Sequence, residues 1–113
     1  MAIYKLENEK IIELQKTTFA SEKIDERNDL QKYFLNSIDV IEPGLFIIAN
    51  EFNDWQDSRR SIDILCIDKD ANLVVIELKK TEDGGHMELQ SIRYAAMISN
   101  MTFSKAVRAF KKY

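Results

Sequence analysis

The sequence predicts an α/β domain in which a mixed sheet of short strands is flanked by helices. Two almost continuously apolar runs, SIDILCID (61–68) and NLVVIELKK (72–80), have the length of strands and lie close together in the chain. Apolar side chains recur at helical spacing before these runs, over residues 24–38, and after them, over 87–99. Strands that are apolar on both faces are covered on both faces. Helices therefore have to pack on each side of the sheet.

The first helix is predicted over residues 24–38. Asp25, Glu26 and Asp29 lie near its start, where acidic side chains suit the helix dipole. The apolar positions that define its packing side are Ile24, Leu30, Phe34, Leu35 and Ile38. Residues 1–20 leave two readings open, a short strand followed by a turn or a ragged helix.

The Pro43-Gly44 pair marks a turn, and the strand LFIIANEF (45–52) follows it. A polar loop, NDWQDSRR (53–60), leads to the two apolar strands, which the short, turn-forming DKDAN segment joins as an antiparallel hairpin. After the loop TEDGG (81–85), the helix over 87–99 is expected to pack through Leu89, Ile92, Ala96 and Ala95. The last helix, within MTFSKAVRAFKK, has Thr102 or Ser104 as its expected cap.

Length, composition and charge limit the number of domains, the location and the kinds of partner that this chain can have. The 113 residues suit a single domain, and 45% hydrophobic residues can fill an ordinary core. The start of the chain lacks the apolar segment of a signal peptide, and no apolar run is long enough to cross a membrane, so we expect a cytoplasmic protein without a membrane partner. Cys66, the single cysteine, is expected to be a small buried hydrophobe. A net charge of -3 argues against a protein that coats nucleic acid by bulk electrostatics.

Polar residues in apolar strands are the most informative feature of the sequence. Side chains alternate along a strand, so Glu77 and Lys79 share a face with Val75, and Asp63 shares one with Leu65. A hairpin folded about Asp70 has a three-residue loop and brings Asp63 directly opposite Glu77, with Lys79 next along. Two carboxylates that face each other across strands destabilise a covered sheet unless a cation compensates them.

Mg²⁺ is the cation that fits this arrangement, because it takes a few hard oxygen ligands and keeps several waters. Mn²⁺ is expected to substitute for it. The ammonium of Lys79 adds a positive charge that can hold a water or a phosphate beside the metal. A β-bulge would shift the register by one residue and separate the pair.

The segments SIDILCID, VVIELKK and ELQSIRYAAMIS together resemble the core of the PD-(D/E)XK, or restriction-endonuclease-like, nuclease superfamily. The resemblance is nearest to the RecB-like and archaeal mismatch-nuclease branches of that superfamily. The resemblance covers residues 24–100 and implies metal-dependent hydrolysis of DNA phosphodiester bonds. It implies that Asp63 and Glu77 are catalytic metal ligands, that the main-chain carbonyl of Leu78 is a further ligand, and that Lys79 positions the attacking water. Glu26 matches the extra acid that often completes the metal site.

The resemblance also implies that Gln90 is the catalytic glutamine that many RecB-like members carry on a helix. Gln90, Arg93 and Tyr94 fall on one helix face, and Arg93, Tyr94 and Arg60 are the candidate phosphate or DNA contacts. The sequence differs from the superfamily pattern in two ways. Ile62 replaces the proline that gives the superfamily its name. The family core closes with another strand after the second helix, and the sequence offers none there beyond the short segment MTF (101–103).

Two alternatives remain from other functional classes. The domain could be a catalytically inactive member of the fold that binds nucleic acid or serves in assembly, or an ordinary interaction domain whose carboxylates lie on the surface. DNA is the expected partner, with RNA as an open alternative, and a homodimer or further domains of a longer protein are also left open. The basic end of the chain lacks a helix C-cap signal, which suggests an N-terminal domain or a fragment.

Overall fold

The computed structural model describes residues 1–55, 59–79 and 87–113. The predicted loop of residues 81–85 lies outside these ranges, as does the middle of the loop over 53–60. The elements in chain order are β1 (Ile3–Glu7), β2 (Lys10–Leu14), a π-helical turn (Glu26–Leu30), α1 (Gln31–Asn36), a 3-10 turn (Ile38–Val40), β3 (Phe46–Phe52), β4 (Ile62–Ile67), β5 (Leu73–Ile76), α2 (Met87–Ile98) and α3 (Phe103–Lys112).

The sheet that carries the predicted site has three strands in the order β3-β4-β5. Both pairs are antiparallel, whereas the sequence predicts a mixed sheet. A mixed sheet needs a parallel strand, which in a core of this kind would follow α2, and none of the described residues after α2 is in a strand. The α/β class, the strand order and the flanking helices are confirmed.

The β4–β5 hairpin has the predicted register. Ile64 pairs with Ile76 and Ile67 with Leu73, so the hairpin is centred on Asp70. The Asp68 carboxylate accepts hydrogen bonds from the N–H groups of Asp70 (2.9 Å) and Asn72 (2.8 Å) and so closes the turn. Ala71 adopts the left-handed conformation (φ 64°) that a three-residue hairpin loop needs at its last position.

Both faces of the sheet are covered, as the apolar strands predict. On one face Leu65 packs in a cluster with Tyr94 and Ile98 of α2 and with Ala106 and Ala109 of α3. On the other face the cluster comprises Leu45, Ile64, Cys66, Ile76 and Leu78, against which the side chains of Leu30, Phe34, Leu35 and Ile38 pack. The predicted burial of Cys66 is confirmed, and burial raises the pKa of its thiol to about 11.

The expected packing side of α2 is wrong. Leu89 and Ile92 are 60% and 62% exposed, and Ala95 and Ala96 are exposed too, whereas Tyr94 and Ile98 are buried. Apolar residues occur on two sides of α2, so the spacing of apolar residues alone does not show which side packs on the sheet. The side chains of Tyr94 and Ile98 fill the space above the sheet.

The start of the chain, the cap of α3 and the length of the first helix were left open or predicted only approximately by the sequence. Residues 1–20 contain neither a single strand nor a helix but the hairpin β1–β2, in which all ten strand residues are exposed. The Thr102 side chain caps α3 by accepting from the N–H of Lys105. The first helix is shorter than predicted, with Asp25 as the cap of its π-helical turn and Asn36 as its last α-helical residue. No helix in the described ranges is long and apolar enough to cross a membrane.

The turn conformation predicts that Ala71→Gly stabilises the protein. An alanine at φ 64° is strained by its Cβ, and glycine relieves that strain at a smaller entropic penalty. We expect the free energy of unfolding to rise by about 0.5–1 kcal/mol in urea titration. The matched control is Ala95→Gly in the exposed middle of α2, which should lower the free energy of unfolding by about 1 kcal/mol. A destabilised Ala71→Gly variant would contradict the turn assignment.

Candidate functional site

Asp63 and Glu77 meet at the end of the hairpin opposite its turn. Asp63 is the residue before Ile64 in β4, and Glu77 is the residue after Ile76 at the end of β5. Because Ile64 pairs with Ile76, the antiparallel register places the two acids across from each other. The N–H of Asp63 donates a long hydrogen bond to Glu77 Oε1 (3.4 Å), and the N–H of Leu78 donates to Asp63 Oδ2 (2.9 Å). The predicted opposition of the two carboxylates is present, although β5 ends at Ile76.

The surroundings of the two acids oppose their ionisation. Burial raises the pKa of Glu77 to about 7, and the negative charge of Asp63 adds to the effect. Burial also raises the pKa of Asp63, assisted by the charge of Glu51, although the Leu78 N–H and the Lys79 ammonium lower it. Carboxylates held together in this way bind a proton or a cation readily.

Gln31 holds Asp63 from the helical side and was missed by the sequence analysis. Its side chain is 4% exposed, and its amide nitrogen donates to the main-chain oxygen of Asp63 (3.2 Å). A signal for it existed, because Gln31 lies three residues before Phe34 and four before Leu35, on the packing side of the helix. A polar residue in such a stripe needs a buried partner.

An open cleft of about 570 Å³ lies between the start of the first helix and the end of the hairpin. Residues 25–28 and Gln31 form one side, and Asp63, Leu78 and Lys79 form the other. The Lys79 ammonium is 3.9 Å from Glu26 Oε1, and each of these side chains is about one-third exposed. Predicted residues from the helix and the hairpin therefore do meet in one place.

Glu51 is a further acid at this site that the sequence analysis did not select. β3 pairs with β4 through Asn50–Ile64 and Phe52–Ile62, which places Glu51 across from Asp63. The register of this pair shifts between Ile47 and Ala49, and without that bulge Glu51 would not be level with Asp63. Glu51 and Asp63 thus lie side by side on neighbouring strands, and Glu77 continues the row one residue past the end of β5.

The predicted residues of α2 lie at different depths. Gln90 is half-buried, and within the described ranges its amide makes no hydrogen bond to Asp63 or Glu77. Arg93 is exposed. Tyr94 is 4% exposed within the core, and burial raises its pKa, as does the charge of Glu77, while Arg60 opposes that rise. Tyr94 and Arg60 are therefore near the carboxylates, and their contact with DNA stays a prediction.

The donor set suits a cation that keeps much of its own hydration. Among the described residues, no group of three histidine, cysteine, aspartate or glutamate side chains is close enough to enclose a metal ion. Two opposed carboxylates with an open cleft beside them match Mg²⁺, which is usually held by one or two carboxylates plus waters and substrate phosphates.

The raised pKa of Glu77 predicts that the metal-free protein loses stability as the pH rises. The ordinary pKa of 4.5 applies to the unfolded chain, and the native value is about 7, so between these values the native state binds more protons. The free energy of unfolding should therefore fall between about pH 5 and pH 8, by roughly 1–2 kcal/mol after solvent screening.

Urea unfolding in EDTA at several pH values measures this loss. Glu77→Gln should remove most of it, whereas Glu42→Gln, an exposed control outside the cleft, should leave it unchanged. A Glu77→Gln variant that keeps the full pH dependence would show that Glu77 ionises freely in the native protein.

Comparison with known proteins identifies the family. The sequence model of the endonuclease NucS C-terminal domain matches residues 26–110, which include every predicted site residue. Comparisons with curated proteins and with solved structures found no match. The family match agrees with a restriction-endonuclease-like fold. The chain belongs to the endonuclease NucS C-terminal domain family.

Proposed function

We propose that this domain hydrolyses DNA phosphodiester bonds with Mg²⁺ at a PD-(D/E)XK site formed by Asp63, Glu77 and Lys79. The observation that carries the proposal is the opposition of two half-buried carboxylates with a lysine beside them at the edge of a cleft. Membership of an endonuclease domain family supports it. The RecB-like assignment within the superfamily is part of the proposal.

Asp63 and Glu77 are the residues that would hold the ion. The raised pKa of each acid marks a place where an added positive charge is favourable. Further oxygen ligands in the proposal are the main-chain carbonyl of Leu78 and the carboxylate of Glu26, which would have to move closer to Asp63 and Glu77 than it lies in the metal-free structure. A bound Mg²⁺ or Mn²⁺ supplies Lewis-acid polarisation of the phosphate and a more acidic water.

Lys79 positions the attacking water in this proposal. Its ammonium lies on the cleft, one-third exposed, and the Glu26 carboxylate at 3.9 Å restricts where it can move. A positioned ammonium can donate to a water and to a phosphate oxygen at once. Gln90 orients the phosphate, and Arg93, Tyr94 and Arg60 are the proposed DNA contacts around it.

A second candidate function is binding without cleavage, in which the domain is a nucleic-acid-binding or assembly part of a larger protein. The acidic balance of the chain and the two-carboxylate donor set of the described residues favour it. The third alternative, surface carboxylates in an ordinary interaction domain, is disfavoured because Asp63 and Glu77 are both half-buried. RNA as substrate, a homodimer and a cytoplasmic location stay predictions.

Lys79→Ala should abolish DNA cleavage while leaving the fold intact. The ion pair with Glu26 is long and partly exposed, so its loss should change the free energy of unfolding by no more than about 1 kcal/mol. Gel assays with labelled single-stranded and duplex DNA, in Mg²⁺ and in Mn²⁺, measure the cleavage.

The matched control is Lys69→Ala, which removes an exposed lysine from the turn at the far end of the same hairpin. It should cut DNA at the wild-type rate. Cleavage by Lys79→Ala at that rate would refute the proposed role of Lys79. A wild-type protein that binds DNA and Mg²⁺ without cutting would favour the second candidate function.

Mg²⁺ should raise the melting temperature of the wild-type protein in a concentration-dependent manner. An ion that binds only the native state stabilises it by RT ln(1 + [Mg²⁺]/Kd), or roughly 2.7 kcal/mol at a hundred times Kd. Differential scanning fluorimetry at pH 8 measures the rise. Asp63→Asn should abolish the response, whereas Asp39→Asn, on the 3-10 turn outside the cleft, should retain it. An unchanged response in Asp63→Asn would place the ion elsewhere.

A further inference from the structure

The cleft contains more acids than bases, and this limits how a polyanion can enter it. Asp25, Glu26 and Asp63 line it, and Glu51 and Glu77 lie next to Asp63. The basic residues among the described lining are Arg27 and Lys79. Lys79 is assigned to the attacking water in the proposed function. Within the described lining, Arg27 is therefore the cation left for a phosphate that flanks the scissile one, since the proposed DNA contacts Arg60 and Arg93 do not line the cleft.

Arg27 has the placement and the freedom to meet such a phosphate. Its side chain is 72% exposed, and Nη2 donates to Glu51 Oε2 at 3.1 Å. A guanidinium has five N–H donors in a planar fork, and this bond uses one of them. Among the described residues no second acceptor takes up the other donors, so they are available to an anion in the cleft. A fork of this kind matches two phosphate oxygens.

Glu51 binds Arg27 from a conformation that is itself energetically unfavourable, both in its hydrogen bonding and in its backbone. Oε2 accepts from both Arg27 and Ser61 Oγ (3.0 Å), while Oε1 is buried with no hydrogen-bond donor among the described residues. Its backbone is in the left-handed region (φ 50°), which is strained for a glutamate. Strain and an unpaired buried oxygen are retained where they serve a function more often than elsewhere.

We propose that Arg27 binds a backbone phosphate of the nucleic acid next to the one that is cut, and that Glu51 is a positioning residue for Arg27. The carboxylate restricts the arginine before substrate arrives, so less side-chain freedom is lost on binding. This inference rests on the proposed nucleic-acid substrate, but it concerns binding and is measured without cleavage.

Fluorescence anisotropy with labelled single-stranded and duplex DNA in Ca²⁺, at several salt concentrations, tests the role of Arg27. Arg27→Ala should raise Kd roughly tenfold, whatever the DNA sequence, and should reduce the slope of log Kd against log salt by about one. Arg27→Lys should keep the slope and lose part of the affinity, because the charge remains without the fork. Arg108→Ala, an exposed arginine on α3 outside the cleft lining, is the matched control and should change neither quantity.

Glu51→Gln distinguishes positioning from simple electrostatics, because the two predict opposite signs. Removal of a negative charge should by itself tighten DNA binding, whereas release of Arg27 should weaken it several-fold. The weakening should be absent when Glu51→Gln is added to Arg27→Ala. Melting temperatures measured on each variant confirm that the compared proteins are folded.

The outcomes separate this inference from the proposed function. If Arg27→Ala binds DNA like Arg108→Ala, the Arg27 inference is refuted and the nuclease proposal is unaffected. If Glu51→Gln tightens binding, the positioning role is refuted. If the wild-type protein binds DNA through Arg27 but never cuts it, the nuclease proposal fails and the Arg27 inference stands. If it does not bind DNA at all, both fail.

Discussion

The opposition of Asp63 and Glu77 depends on a turn at the other end of the same hairpin. The Asp68 carboxylate accepts from the N–H groups of Asp70 and Asn72 and from the Asn72 side-chain amide (3.1 Å), and these bonds with Asn72 lower the pKa of Asp68. A two- or four-residue loop in the same sequence would shift the pairing by one residue and turn one acid to the other face of the sheet. The chemistry of the site is therefore determined by a turn that contains none of its residues.

The layers on either side of the sheet make this geometry rigid. The first helix packs on one face through Leu30, Phe34 and Leu35, and that packing sets Gln31 against the Asp63 main chain. On the other face, α2 places Tyr94 in the core, where the charges of Glu77 and Asp63 influence it. Two half-buried acids can be held this close because the apolar clusters supply the stability that their repulsion removes.

The sequence predicts the parts of this site that local rules determine. A short polar loop between two apolar strands specifies its own register, so the placement of Asp63 across from Glu77, one step past the Ile64–Ile76 pair, could be predicted. Glu51 could not, because a long loop separates β3 from β4 and a bulge at Ile47–Ala49 changes which residue faces Asp63. The packing side of α2 was wrong for a related reason, since Leu89 and Tyr94 lie on different sides and only the shape of the sheet selects one.

The positions of the acidic side chains change what the net negative charge of the chain implies for DNA binding. The chain has 19 acidic and 16 basic residues, and several of the acids surround one cleft. Their combined field attracts a small divalent cation and repels a polyanion, so DNA is disfavoured there until the carboxylates are compensated. In the proposed function, Arg27 and Lys79 would then extend the positive charge along the cleft. Net charge argues against a protein that coats DNA, but it is compatible with a domain in which metal binding is the condition for DNA binding.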